Sequence, residues 1–328
     1  MSDKILHQDS GEFWTAIHAD CVEAVKALPD ESIGYSIYSV PFASLYTYSN
    51  SDRDFGNCKD DAEFFGQMAF LIRELLRVTK PGRLTSIHCM NLPTTKTRDG
   101  YIGIRDFRGE IVRAFEKEGW IFHSEVCIWK DPVTAMQRTK AIGLLHKQMV
   151  KDSCMSRQGI PDYLVTLRKP GENKNPVAGE LTDWIGEGTP EEFEKGIRAQ
   201  WAADKSRDES AKATFPTFKS IMLWQRYASP VWMDINPSDT LQFRSAREQA
   251  DERHICPLQL QVIERGLELW SNEGDTVLTP FAGIGSEGYV AIEKNRKAIC
   301  IELKQSYYDQ CVANLRIAEA KKKELLLL

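Results

Sequence analysis

No Cys-x-x-Cys pair occurs in this chain, and its eight cysteines (residues 21, 58, 89, 127, 154, 256, 300 and 311) show no repeated spacing. That pattern argues against a zinc knuckle, and no metal site is expected; it also argues against a secreted disulfide framework. Several of the cysteines lie in apolar runs, such as Cys300 in "KAICIEL", where a thiol serves as a small buried hydrophobe. Also missing is any apolar run near the roughly 18 residues that a membrane span needs. The opening "MSDKILHQDSGEFWTAIHAD" lacks the basic-then-apolar layout of a secretory signal. A cytoplasmic location without membrane attachment is the expectation. A net positive charge is lacking too. With a formal net charge of −5, a nucleic-acid partner would have to be met by a local basic patch rather than by the field of the whole protein.

What the chain does have is core. Its 328 residues are 42% hydrophobic and 27% charged, enough for one large α/β domain or two ordinary ones. Residues 14–130 alternate helical and strand patterns. "CVEAVKALPDES" reads as a helix ending at Pro29, "IGYSIYS" as a buried strand, and "DDAEFFGQMAFLIRELLRVTKPG" as a helix with a Lys-Pro-Gly stop. The strand "RLTSIHCM", the helix "FRGEIVRAFEKEGW" and the strand "IFHSEVCIW" follow. Strands alternating with helices imply a mainly parallel sheet. From about 131 to 250 tryptophans, prolines and charges mix without long periodicity, which reads as an insertion or an irregular lobe. Order returns at 254 with a helix, the strand "TVLTP", the turn and helix "FAGIGSEGYVAIEKN", the strand "KAICIEL" and a closing helix. The final "KKKELLLL" reads as a frayed end.

Two stretches carry chemistry. In "TVLTPFAGIGSEG" a strand runs into Gly283-Ile-Gly285 and then a helix, a junction where backbone N–H groups can meet a polar ligand at close range. The bland alternative is a tight turn and nothing more. Glu302 ends the next strand, where an acidic side chain can accept from both hydroxyls of a ribose; a solvated strand-end glutamate is the alternative. The spacing also satisfies G-x-G-x-x-G, so a nicotinamide-dependent oxidoreductase stays open. The second stretch is "YSVPFASLYTY", residues 38–48, in which aromatics crowd a lone serine at the end of a strand.

Together these segments resemble the S-adenosylmethionine-dependent DNA amino-methyltransferases, the N4-cytosine and N6-adenine family, in its permuted β-type motif order. "TPFAGIG" is similar to the family's "DPFxGxG". "HADCVEAVKALPDESIGYSIYSVPF", "LLRVTKPGRLTSIHC", "GWIFHSEVCIWKDP" and "HICPLQLQVIERGLELWSNEGDTVLTPFAGIGSEG" resemble its other blocks, over roughly 14–132 and 254–315. "YIGIRDFRGEI" and "KDPVTAMQRTKAIGLLHKQ" resemble segments of phage-borne members, which implies a bacterial or phage-infected bacterial cell. The resemblance implies an α/β, Rossmann-like methyltransferase fold with a mainly parallel sheet and an irregular inserted target-recognition region. It implies a catalytic half at 1–132, the variable region at 133–253 and a cofactor-binding half at 254–328.

The resemblance also implies site residues. The family's [D/N/S]-P-P-[Y/F/W] motif falls on Ser39, Val40, Pro41 and Phe42. A target base must leave the stack to be methylated, so Phe42 would offer it a face while Tyr46 and Tyr48 wall the pocket. Ser39 Oγ and the Val40 carbonyl would accept from the exocyclic amine. Val40 stands where the family has proline, although a carbonyl comes with any residue and Pro41 still holds Val40 extended. S-adenosyl-L-methionine would be held by Asp20, Cys21, Thr279, Pro280, Phe281, Gly283, Gly285, Ser286, Glu302 and Leu303; Asp20 reads equally well as a helix N-cap. Thr279 replaces the family's aspartate, and Gly-Ile-Gly-Ser-Glu replaces its G-S-G-T-T.

Between 130 and 157, Lys130, Arg138, Lys140, Lys147, Lys151 and Arg157 face only Asp131 and Asp152. That stretch reads as a phosphate-contacting edge, or else as a solvated amphipathic helix. Trp184, Trp201, Trp224 and Trp232 read as core rather than base-stacking residues. The expected substrate is double-stranded DNA with one base flipped, and a homodimer is left open. Serine at the first motif position favours cytosine N4, with adenine N6 as the alternative. An inactive DNA-binding relative, suggested by Val40 and Thr279, is a third reading.

Overall fold

The computed structural model describes residues 5–41, 55, 58, 60–94, 96–133, 145–155, 158–207, 213–242 and 257–326. The chain begins with a hairpin of β1 (Ile5–Ser10) and β2 (Trp14–Ala19), then α1 (Cys21–Lys26) and β3 (Ile33–Ser39). Helix α2 (Asp61–Val78) leads into β4 (Thr79–Met90). A short hairpin of β5 (Leu92–Thr94) and β6 (Gly103–Arg105) encloses α3 (Lys96–Asp99), followed by α4 (Phe107–Lys117) and β7 (Ile121–Ile128). Next come α5 (His146–Lys151), β8 (Asp162–Arg168), α6 (Pro190–Arg207), α7 (Phe215–Tyr227) and β9 (Val231–Trp232). The final elements are α8 (Leu260–Trp270), β10 (Thr276–Thr279), α9 (Ser286–Glu293), β11 (Lys297–Glu302) and α10 (Gln305–Leu326).

One sheet organises these elements, in the order β1-β2-β11-β10-β3-β4-β8-β7-β9. The run from β2 through β4 is parallel throughout, while β1 and β8 enter antiparallel. Its central strands are apolar on both faces, as a parallel sheet covered on two sides requires. Alternation along β3 shows how the faces are shared: Tyr35 and Ile37 point into one core, Tyr38 and the adjacent Val40 into the other. Helices α1, α2 and α4 cover the second face, and α8, α9 and α10 the first.

Local chemistry sets the helix starts. Asp60 accepts from the Glu63 N–H at 2.9 Å and Asp106 from the Gly109 N–H at 3.0 Å, each satisfying a donor that a helix N-terminus leaves open. Phe64, Met68, Leu71, Ile72, Leu75 and Val78 then form the buried stripe of α2.

Three readings of the sequence need correction. The stretch 131–250 is not irregular throughout: it contains β8, which sits in the main sheet between β4 and β7, and the helices α6 and α7. Arg265, fully buried on α8, fastens this stretch down through the Ile185 carbonyl at 2.6 Å and the Asp234 carboxylate at 2.6 Å. The end of the chain is helical as far as Leu326 rather than frayed from the lysines onward. Among the four tryptophans, Trp232 is core, whereas Trp224 is 56% exposed.

Candidate active site

Register brings the two halves of the site together. Along one edge of the sheet, His18 lies beside Glu302, Thr279 beside Cys300, and Ser39 beside His88. Strand β8 runs the other way, so its first residue, Asp162, meets Met90 at the end of β4. The carboxyl ends of β2, β11, β10, β3 and β4 therefore share an edge with the amino end of β8, the crevice in which open α/β sheets bind ligands. Phe281, in the turn after β10, joins the halves by ring contacts to Tyr38 (5.9 Å) and Phe55 (5.6 Å).

At the β10–β11 end, Glu302 accepts from the Gly283 N–H at 2.8 Å through one oxygen and from the Lys304 N–H at 2.9 Å through the other. The three glycines of "GIGSEG" have three different reasons to be there. Gly283 sits at φ 52° with no atom within 4 Å of the position a Cβ would take, leaving open space over the turn. At Gly285 (φ 84°) a Cβ would lie 2.7 Å from the Cys311 sulfur of α10. At Gly288 it would lie 2.4 Å from the Cys300 sulfur of β11. The Oγ of Ser286 and Oγ1 of Thr279 are buried and have no hydrogen-bond partner among the described residues. Open space over the turn and two buried hydroxyls without partners among the described residues fit a polar nucleoside ligand. Pro280 is buried, and the Leu303 carbonyl is within 2.8 Å of His18 Nε2, which ties the tip of β11 to β2. Asp20 is the N-cap of α1, accepting from the Glu23 N–H at 3.1 Å. Burial and the Asp20 charge push the Cys21 thiol up, so it stays protonated. Glu287, next to the turn, is buried as well; burial raises its carboxyl to about 8, and the Glu302 charge adds to the rise.

At the β3–β4 end, Ser39 is half-buried, Val40 is buried in the core and Pro41 is half-buried. Ser39 Oγ lies 3.0 Å from His88 Nδ1, and His88 Nε2 lies 3.0 Å from Asp162 Oδ2. Lys130 Nζ closes on that same oxygen. Burial would raise the Asp162 carboxyl, but attraction to Lys130 and His88 outweighs it and holds the pKa at about 2. Lys130 is thus paired with a buried carboxylate. Lys147 and Lys151 are exposed on α5, which buries none of its residues. Phe42, Tyr46 and Tyr48 lie outside the described residues, as do Arg138, Lys140 and Arg157.

Sequence reasoning missed His18, His88 and Asp162. The available signal was positional: His88 is a polar residue near the end of an apolar strand, and Asp162 directly precedes the alternating run "YLVTLR".

Comparison with known proteins agrees with this geometry. The structure is similar to a candidate DNA modification methylase, TTHA0409, from Thermus thermophilus, solved with S-adenosyl-L-methionine: TM-score 0.57 at 19% identity, covering 92% of this chain and 93% of that one. It is also similar to the cytosine-N4-specific PvuII DNA methyltransferase, with a TM-score of 0.58 at 14% identity over 98% of this chain and 94% of that one. At such identities the likeness shows the fold. No curated protein matches the sequence. The sequence profile of the N6/N4 DNA methylases matches residues 37–313, spanning both ends of the crevice, and this removes the oxidoreductase reading. The chain belongs to the DNA methylase family, whose members are methyl-transferring enzymes.

Proposed function

We propose that this enzyme transfers a methyl group from S-adenosyl-L-methionine to the exocyclic amine of a base flipped out of double-stranded DNA, with cytosine N4 preferred over adenine N6. The observation that carries the reading is the apposition of Ser39-Val40-Pro41 at the end of β3 with the glycine turn at the end of β10, the adjacent strand. When bound, S-adenosyl-L-methionine supplies an electrophilic methyl group. Glu302 accepts from its ribose, the Phe281–Ser286 turn supports it from below, Thr279, Pro280 and Leu303 line the same edge, and Asp20 and Cys21 border the adenine. Ser39 Oγ and the Val40 carbonyl accept from the target amine, whose lone pair is otherwise delocalised into the ring; holding both N–H bonds favours the tetrahedral nitrogen of the transition state. Phe42 stacks on the base, and Tyr46 and Tyr48 wall it. The parts of 133–253 outside the sheet strands β8 and β9 form the target-recognition region, and Arg138, Lys140, Lys147, Lys151 and Arg157 contact phosphates. The preference for cytosine rests on serine at the first motif position.

The test is to incubate the purified chain with S-adenosyl-L-methionine and mixed-sequence duplex DNA, digest to nucleosides and weigh them. N4-methylcytosine is expected. Methyladenine alone would overturn the base preference and keep the reaction. No methylated nucleoside on any DNA would overturn the proposed function.

A further inference from the structure

We infer that His88 and Asp162 form a relay behind Ser39, which fixes the serine hydroxyl as an acceptor toward the substrate amine and takes up the proton that the amine releases. The inference rests on the amine-methylating reading above. Its basis is a chain of contacts from three strands: Ser39 Oγ to His88 Nδ1 at 3.0 Å, and His88 Nε2 to Asp162 Oδ2 at 3.0 Å. His88 is 9% exposed and Asp162 2%. Lys130 pairs with the same carboxylate oxygen, so the group facing the imidazole is an ionised carboxylate.

The hydrogen positions follow. Nε2 lies 3.0 Å from the ionised Asp162 carboxylate without being aligned for a hydrogen bond to it, and that negative charge favours the proton on Nε2, leaving a lone pair on Nδ1. The proton between Nδ1 and Oγ is therefore the serine's own, and Ser39 donates to His88. Only lone pairs of Oγ then remain for an incoming group. A serine without this partner is free to rotate and donate to the amine nitrogen, tying up the lone pair that must attack. The relay removes that wrong orientation and makes a neutral hydroxyl behave as an acceptor alone.

The same chain accounts for the proton. As the methyl group is transferred, the nitrogen lone pair forms the N–C bond, the S–C bonding pair stays on sulfur, and the nitrogen becomes positively charged. One N–H bond then breaks and its electron pair returns to nitrogen. The proton passes to Ser39 Oγ as the serine proton passes to His88 Nδ1. The products are a neutral methylated amine and an imidazolium facing Asp162. His88 and Asp162 act through Ser39 and are positioning residues; a buried carboxylate that sets an imidazole tautomer is established chemistry in serine hydrolases.

Nitrogen NMR of the ligand-free protein reads the His88 tautomer with no turnover involved. The Nε2–H form is expected in the parent, and Asp162→Asn, whose amide can donate, is expected to move the proton to Nδ1. His88→Ala is expected to lower turnover by about 10²-fold, the lower range for a positioned proton acceptor, with cofactor affinity by calorimetry unchanged and added imidazole restoring part of the rate. An Nδ1–H tautomer in the parent, or parental turnover in His88→Ala, would overturn the inference. If His88→Ala does not fold, His88→Gln replaces it: glutamine can accept from Ser39 but cannot take up the proton, and full turnover there overturns the relay. Failure of the parent to methylate any DNA would sink the proposed function instead, a result distinct from the tautomer measurement.

Discussion

Two buried carboxyl groups stand at opposite ends of the crevice, and their environments drive them in opposite directions. Asp162, at the β4–β8 end, faces Lys130 and His88 and is held at a pKa of about 2 despite its burial. Glu287, at the β10–β11 end, has another carboxylate, Glu302, as its charged neighbour, and burial lifts it to about 8. Burial penalises both charges; only a facing cation reverses the outcome. One end of the crevice thus presents a fixed negative charge behind a histidine. The other keeps its spare carboxyl neutral near pH 7, leaving Glu302 as the acceptor at the tip of β11. Similar side chains serve different purposes because of what the strand register places beside them.

The largest effect expected from breaking this contrast is at the first end. Ser39→Ala removes an acceptor needed mainly in the transition state, so turnover should fall roughly 10²–10³-fold with cofactor affinity unchanged in calorimetry. Full activity in that variant would empty the β3–β4 end of its assigned role.

The second effect sharpens the other end. Glu287 has a folded pKa of about 8 against an ordinary value of 4.5. Below the ordinary value it is protonated whether folded or not. As pH rises between the two values the unfolded chain releases its proton while the folded one retains it, so stability is lost across that window. Glu287→Gln should remove this loss, on the order of 4–5 kcal/mol at the upper end, and should melt higher than the parent near the top of the window but not near its bottom. Identical pH dependence of the two melting curves would mean that Glu287 is ionised in the folded protein.

The smallest effect concerns Glu302. Its replacement by Ala should weaken S-adenosyl-L-methionine binding by about 1–3 kcal/mol, the range for charged hydrogen bonds. A loss confined to stability, with calorimetric affinity intact, would assign Glu302 to holding the Gly283 and Lys304 amides and nothing more.

The two ends also differ in how readable they were. The glycine turn, its helix and Glu302 occupy a short contiguous stretch whose local pattern declares strand, turn and helix, and the structure follows it closely. The strand that ends at Ser39 was legible for the same reason. The group behind Ser39 was not. Ser39 and His88 are 49 residues apart, and Asp162 joins them only because β8 enters antiparallel beside β4. Register is a tertiary property, and no local spacing encodes it. Strand β8 escaped notice because "DYLVTLR" is short and is followed by Pro-, Gly- and Asn-rich chain, so its identity comes from the slot it fills. Strand β1, mostly exposed on an antiparallel edge, carries almost no apolar signal at all.

The order of the sheet has a consequence for how the protein is made. Strands β10 and β11, near the end of the chain, lie between β2 and β3, near its beginning. While the chain emerges from the ribosome, the facing edges of β2 and β3 have no native partner until β10 and β11 have been synthesised. Unpaired edges of apolar strands are templates for wrong pairing, and long-range closure of this kind slows folding. A chain stalled before β10 therefore holds both walls of the crevice without the strands that join them.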